Sequence, residues 1–138
     1  ELGRPRAPLT RAPSRLTAIH AVELYLNAIL LRGGHTPADI RGLQHDLCAR
    51  FDLASAGGLR LRQKTAAHLR DLSAAREYLT TRYGPELSAT MSQINRLVAT
   101  LEEVADKVAK DAAIDPAGAQ ILKPTSVSSQ SDAACYGR

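Results

Sequence analysis

Three polar side chains, His20, Glu23 and Asn27, interrupt an otherwise apolar run that ends at Leu31. At about 100° per residue they fall on one narrow helical stripe, with Leu24 and Leu31 just beyond it. A carboxylate among apolar neighbours must be paired or protonated, because burying it unpartnered costs several kcal/mol. Three arrangements meet that demand. Glu23 pairs with an arginine or histidine of a neighbouring helix and fixes the packing register, the stripe forms a polar cleft at a dimer interface, or it simply faces water. Arg76 poses the converse problem, since it projects from the apolar stripe of Leu61, Thr65, Leu69, Leu72, Leu79 and Tyr83. Glu23 is the carboxylate expected to answer it.

The other chemistry-bearing residues are sparse. The four histidines show no HxxxH or HxxE pairing, and the two cysteines, Cys48 and Cys135, match neither a disulfide framework nor a metal motif. No metal and no cofactor is therefore expected. Gly33-Gly34 and Gly57-Gly58 lack the flanking strand of a phosphate-binding loop. His35 is expected to be exposed in a loop, and His45 to hydrogen-bond across helices or support a turn.

Positioning these residues requires helices. Ser14 reads as an N-cap, with a first helix over 15–32 that Gly33-Gly34 ends in the manner of a left-handed cap. Thr36 followed by Pro37, with Asp39 in the first turn, opens a second helix, which Ile40, Leu43, Leu47 and Arg50 or Phe51 carry to about Leu53. A third spans 59–82 and stops at Gly84-Pro85. The fourth carries Leu87, Met91, Ile94, Val98, Leu101, Ala105, Val108 and Ala112, alternating by four and three, with Leu97 and Val104 widening the stripe. No strand pattern appears. The expected fold is all-α, an antiparallel up-and-down four-helix bundle over 15–112. It is flanked by a disordered Arg/Pro arm (1–14) and a disordered Ser/Pro/Gly/Ala-rich tail (113–138).

The chain of 138 residues has a formal net charge of +4, unevenly spread. Arg4, Arg6, Arg11 and Arg15 against Glu1 place +3 in the first fifteen residues, whereas 16–112 hold twelve Lys/Arg against eleven Asp/Glu. Nucleic-acid attraction is thus expected of the arm, through Arg4, Arg6 and Arg11, more than of the near-neutral core. No apolar run is long enough to span a membrane, and no secretory signal pattern opens the chain; a cytoplasmic, reduced location is expected.

The stretch AVELYLNAILL, the Gly-containing turn, the second helix and the triplet His45-Asp46-Leu47 resemble the HEPN domains of bacteria and archaea. Members show an Ala-x-Glu-x-x-x-Lys-Ala segment in helix one and a His-Asp-Leu or His-Asn-Leu further on. Glu23 takes the glutamate position and Asn27 stands where lysine is common. The segment AREYLTTRYG, 75–84, is similar to the aromatic-rich helix before the family's last helix. The resemblance covers 15–112.

It implies a homodimeric, RNA-associated bundle, often one half of a toxin–antitoxin or defence system, with an antitoxin or nucleotidyltransferase as partner. Many members are metal-independent ribonucleases using Arg-x(4–6)-His, in which arginine grips phosphate and histidine moves a proton while the ribose 2′-OH attacks. Arg62 and His68 carry that spacing, on opposite flanks of their helix about 120° apart; Arg15 and His20 also do, but at the start of helix one. The expectation is a HEPN-like interaction domain whose polar seam comprises His20, Glu23, Asn27, His45 and Arg76. The alternative is a ribonuclease using Arg62 and His68.

Overall fold

The computed structural model describes residues 11–84 and 91–113. Among them all regular structure is helical: α1 (Ala12–Arg32), α2 (Pro37–Gly42), α3 (Leu47–Ala56), α4 (Gln63–Ala74), α5 (Glu77–Tyr83) and α6 (Ile94–Ala113). The expected tail, most of the arm with Arg4 and Arg6, Leu87 and Cys135 lie outside the described residues. The helix stops read from the sequence hold. Gly34 takes φ +91° beyond α1 while the His35 N–H bonds back to the Leu30 carbonyl, and Gly58 takes φ +113° beyond α3 with Leu59 bonding back to Ala54. Thr36 and Asp39 form a reciprocal capping box on α2.

The N-terminus of α1 differs from expectation. Arg11 is the N-cap, and Pro13 and Ser14 lie inside the first turn, where a proline's missing N–H costs nothing. The arm's last residues are therefore helical.

Two expected helices are each broken in two. The 36–53 helix ends at Gly42 and restarts at Leu47, with Gln44 in the left-handed region at φ +49°. The 59–82 helix starts late, at Gln63, and breaks at Ala75–Arg76, with Arg76 also at φ +49°. Gly42 directly precedes the first break, whereas the second contains neither the glycine nor the proline that would announce it. Each is held instead by a buried side chain. Arg50 adds a second donor to carbonyls at the end of α2, donating to Ile40 and Leu43, which also accept from the backbone N–H groups of Leu43 and Asp46. Glu77 sits on the far side of the second break, where its carboxylate accepts from the Ser92 backbone N–H at 2.6 Å and pairs with Arg15 at 3.2 Å.

Those breaks change the topology. Arg15 meets Ser92 and Arg32 meets Asp111, so α1 and α6 run side by side in the same direction. The pairs Arg62–Glu103 and Arg96–Asp71 run α4 against α6, and Asp46–Ser73 with Asp52–Arg70 run α4 against α3. A strictly alternating bundle would have set the first and last helices antiparallel; here α4 opposes the other three long helices. The core is built from Ile19, Val22, Leu26 and Leu30 of α1 against Phe51, Leu69, Leu72, Leu97 and Val104. Leu26 is wholly enclosed, so truncating it to alanine costs about 2–5 kcal/mol.

On α6 the buried line is Leu97, Thr100, Val104 and Val108, while Val98 is 42% exposed. Of the expected stripe, Val108 is in the core and Ile94 and Leu101 pack against it, while Val98 faces out, because Leu97 and Val104 are the centre of the buried line and not its margin.

Candidate functional site

Glu23 is buried, and its carboxylate finds its partners on α3 and the loop before it. Arg50 Nη2 lies 3.1 Å from Oε1 and His45 Nδ1 lies 3.1 Å from Oε2. Arg50 Nε donates to the Asn27 carbonyl oxygen at 2.7 Å, and Nη1 donates to the Leu43 and Asp46 carbonyls. One guanidinium thus ties α1, the end of α2 and the start of α3 together, with every nitrogen engaged. Burial pushes the Arg50 guanidinium below its ordinary value, and the charges of Glu23 and Asp46 counter that shift.

Asp46 anchors the neighbouring turn. It caps α3 by accepting from the Ala49 N–H at 3.0 Å and accepts from the Ser73 hydroxyl at 2.8 Å. Those two bonds, the backbone one first, hold its carboxyl below the usual carboxylate range. His45 projects beside it, half exposed, its ring stacked on Tyr78 at 4.1 Å between centroids. With Nδ1 on a carboxylate, Nε2 is the nitrogen left toward the solvent side.

An open groove of about 770 Å³ runs past this histidine. Its walls are the Gly42–Asp46 loop, the C-terminal turn of α4, and Arg76, Tyr78 and Leu79. Both left-handed non-glycine residues, Gln44 and Arg76, line it. A histidine oriented by a carboxylate, an exposed arginine and an aromatic face are groups that can accept a proton, bind an anion and stack on a planar ring.

The expected Glu23–Arg76 pair does not form. Arg76 is exposed at the left-handed N-cap of α5, because the helix that would have aimed it inward breaks at that residue. His20, expected in the same seam, is exposed. Sequence reading missed Arg50 as the central cation, assigning it only to an apolar stripe; its position one turn after Asp46 was the available signal.

Arg62 and His68 stand apart in the protomer. Arg62 is the N-cap of α4, its side chain 81% exposed and 3.2 Å from Glu103. Burial pulls upward on the Glu103 carboxyl, but the Thr65 hydroxyl, the Arg62 backbone N–H and the Arg62 charge outweigh it and leave it lowered. His68 is fully enclosed, with Nδ1 2.7 Å from the Thr100 hydroxyl and Nε2 without a hydrogen-bond partner. Burial first, and the nearby Arg96 cation second, push the ring below its ordinary value, so it is held neutral. Among the described residues no three His, Cys, Asp or Glu side chains gather as a metal would need, and no helix is long and apolar enough to cross a membrane.

No family model, curated protein or solved structure matches this chain.

Proposed function

We propose that this chain is a HEPN-like helical interaction domain that works as a homodimer in an RNA-associated or toxin–antitoxin-type system and does not itself cleave RNA. The carrying observation is that the buried Glu23 carboxylate takes both His45 and Arg50, while Arg50 also donates to Asn27. Glu23 and His45 belong to the two motifs on which the HEPN resemblance rests, Asn27 standing where the family commonly has lysine, and they come from two separate segments to one point beside a groove. Arg50, capping α2, makes the cluster a structural clasp; His45 and Arg76 at the groove offer the contact groups for an RNA, an antitoxin or a nucleotidyltransferase partner. Arg11 and the arm before it add positive charge at the α1 end.

The ribonuclease reading through Arg62 and His68 gains no support from their placement. A substrate phosphate held by Arg62 would sit outside the core that encloses His68. The test is incubation of the full chain with a mixed-sequence RNA in EDTA, alongside His45→Ala and His68→Ala, with binding followed by gel shift. Binding weakened by His45→Ala, without cleavage, is the expected result. Cleavage that persists in chelator and vanishes in His68→Ala would replace this reading with the nuclease.

A further inference from the structure

Thr17, Ala21, Leu24, Ala28 and Leu31 alternate by four and three along α1 and lie on its outer side. Leu24 is 55% exposed and Leu31 49%. Beside them, α6 presents the exposed Val98 and Ala109 and the half-buried Leu101 and Ala105, because the core line of that helix runs through Leu97 and Val104. The two helices run parallel and in contact, so the stripes adjoin as one two-helix face. A cleft of about 420 Å³ between them is floored by Thr17, Ala18, Ala21 and Leu101. Neither stripe carries a charge, and only Leu101 among them also packs against the protomer's own core.

We propose that this α1/α6 face is the interface with a second copy of the chain, related by a two-fold axis running along the helices, so that α1 packs on α6 of the partner. The inference rests on the homodimer reading above and deepens it. Three observations favour this occupant.

The first is size. Arg15 opposite Ser92 and Arg32 opposite Asp111 set Leu31 level with Ala109, Ala28 with Ala105 and Ala21 with Val98. A two-fold axis along the helices preserves those levels. Leucine 31 then meets an alanine, Val98 enters the cleft floored by Ala21, and Ala28 meets Ala105, the close approach that knobs-into-holes packing requires.

Charge is the second. His20 edges the face on the α1 side and Glu102 on the α6 side, and both are exposed. The two-fold exchange of sides brings each His20 to the same rim as the copy's Glu102, a little over a turn apart in height. A histidine N–H then faces a carboxylate at both rims.

Area is the third. Two packed helices about 30 Å long and about 20 Å across together cover roughly 600 Å² per protomer. That reaches the low end of specific interfaces, about 1,200 Å² in total, and fits a reversible dimer.

The test is sedimentation velocity of the full chain across the micromolar range, with far-UV circular dichroism and urea unfolding for each variant. The wild type is expected to dimerise with a micromolar Kd. Leu24→Glu and, separately, Val98→Lys should raise that Kd by about 100-fold or more while keeping the helical signal, because each buries a charge at the centre of the face. Leu53→Glu, an exposed leucine off this face, should leave it unchanged. His20→Glu should weaken the dimer, and adding Glu102→Lys should restore it. A dimer that survives both Leu24→Glu and Val98→Lys overturns this face and leaves the homodimer reading standing. A wild type that stays monomeric throughout, its face reserved for another protein, overturns both. Loss in Leu24→Glu without rescue in the charge exchange overturns the two-fold arrangement.

Discussion

Two clusters in this molecule are made of the same three residue types and do opposite things with them. Around Glu23, the arginine is buried and the histidine half exposed: Arg50 is locked among helix ends while His45 reaches a groove. Around Glu103, the arginine is exposed and the histidine buried nearby: Arg62 lies in solvent while His68 is sealed against Thr100. A histidine in contact with water and oriented by a carboxylate is available for binding or proton transfer; one held neutral in the core is a packing element with a hydrogen bond. The side chain facing solvent is thus set by which residue the helix breaks require inside, and not by the residue inventory.

The largest effect expected from this contrast separates the two arginines. Arg50→Met leaves Glu23 buried beside a half-exposed histidine and removes the guanidinium's bonds to Asn27 and the α2-end carbonyls, costing about 3–5 kcal/mol in urea unfolding. Arg62→Met costs less than about 0.5 kcal/mol, because the backbone N–H of residue 62 and the Thr65 hydroxyl still hold Glu103. Equal losses at the two sites would erase the distinction.

The histidines should divide the other way. His68→Ala opens a cavity in the core and costs about 2–4 kcal/mol, whereas His45→Ala costs about 1 kcal/mol and is read in partner or RNA binding. His68 also gives a pH signature. Above its ordinary value of 6.5 the ring is neutral in both folded and unfolded chains, and pH has no effect through it. Below 6.5 the unfolded chain takes up a proton that the folded core resists. Stability should therefore fall, by up to about 1.4 kcal/mol per pH unit, until the lowered native value is reached. His68→Gln should flatten the unfolding profile in that window; an unchanged slope would place the titration elsewhere.

Smaller effects test the groove wall. Asp46→Ala removes the α3 cap and the Ser73 bond, for a loss of about 1 kcal/mol of unfolding free energy in urea at neutral pH. The Asp46 carboxyl is lowered below 3.8, so its contribution is complete above that pH and lost as the pH falls through the native value. Gln44→Gly relieves a left-handed non-glycine residue and should raise the unfolding free energy by roughly 0.5 kcal/mol. A loss at Gln44 would mean that its side chain contributes more than its backbone costs.

Local chemistry made much of this fold readable in advance. The caps at Thr36 and the stops at Gly34 and Gly58 depend on a few neighbouring residues, and the apolar line of α1 depends only on spacing. The all-helical class, the need for a partner to Glu23 and the importance of His45 as a cross-helix bond were legible for the same reason. Arg50 as that partner, the breaks at 43–46 and 75–76, the outward turn of Arg76 and the burial of His68 were not. Each is decided by groups distant in sequence: Arg50 answers Glu23 and Asn27, and Glu77 answers Arg15 and Ser92. Satisfying those buried polar atoms outweighs helix continuity by several kcal/mol. That balance exists only once the helices are packed, and so it was the tertiary structure that chose which arginine is locked in and which histidine meets water.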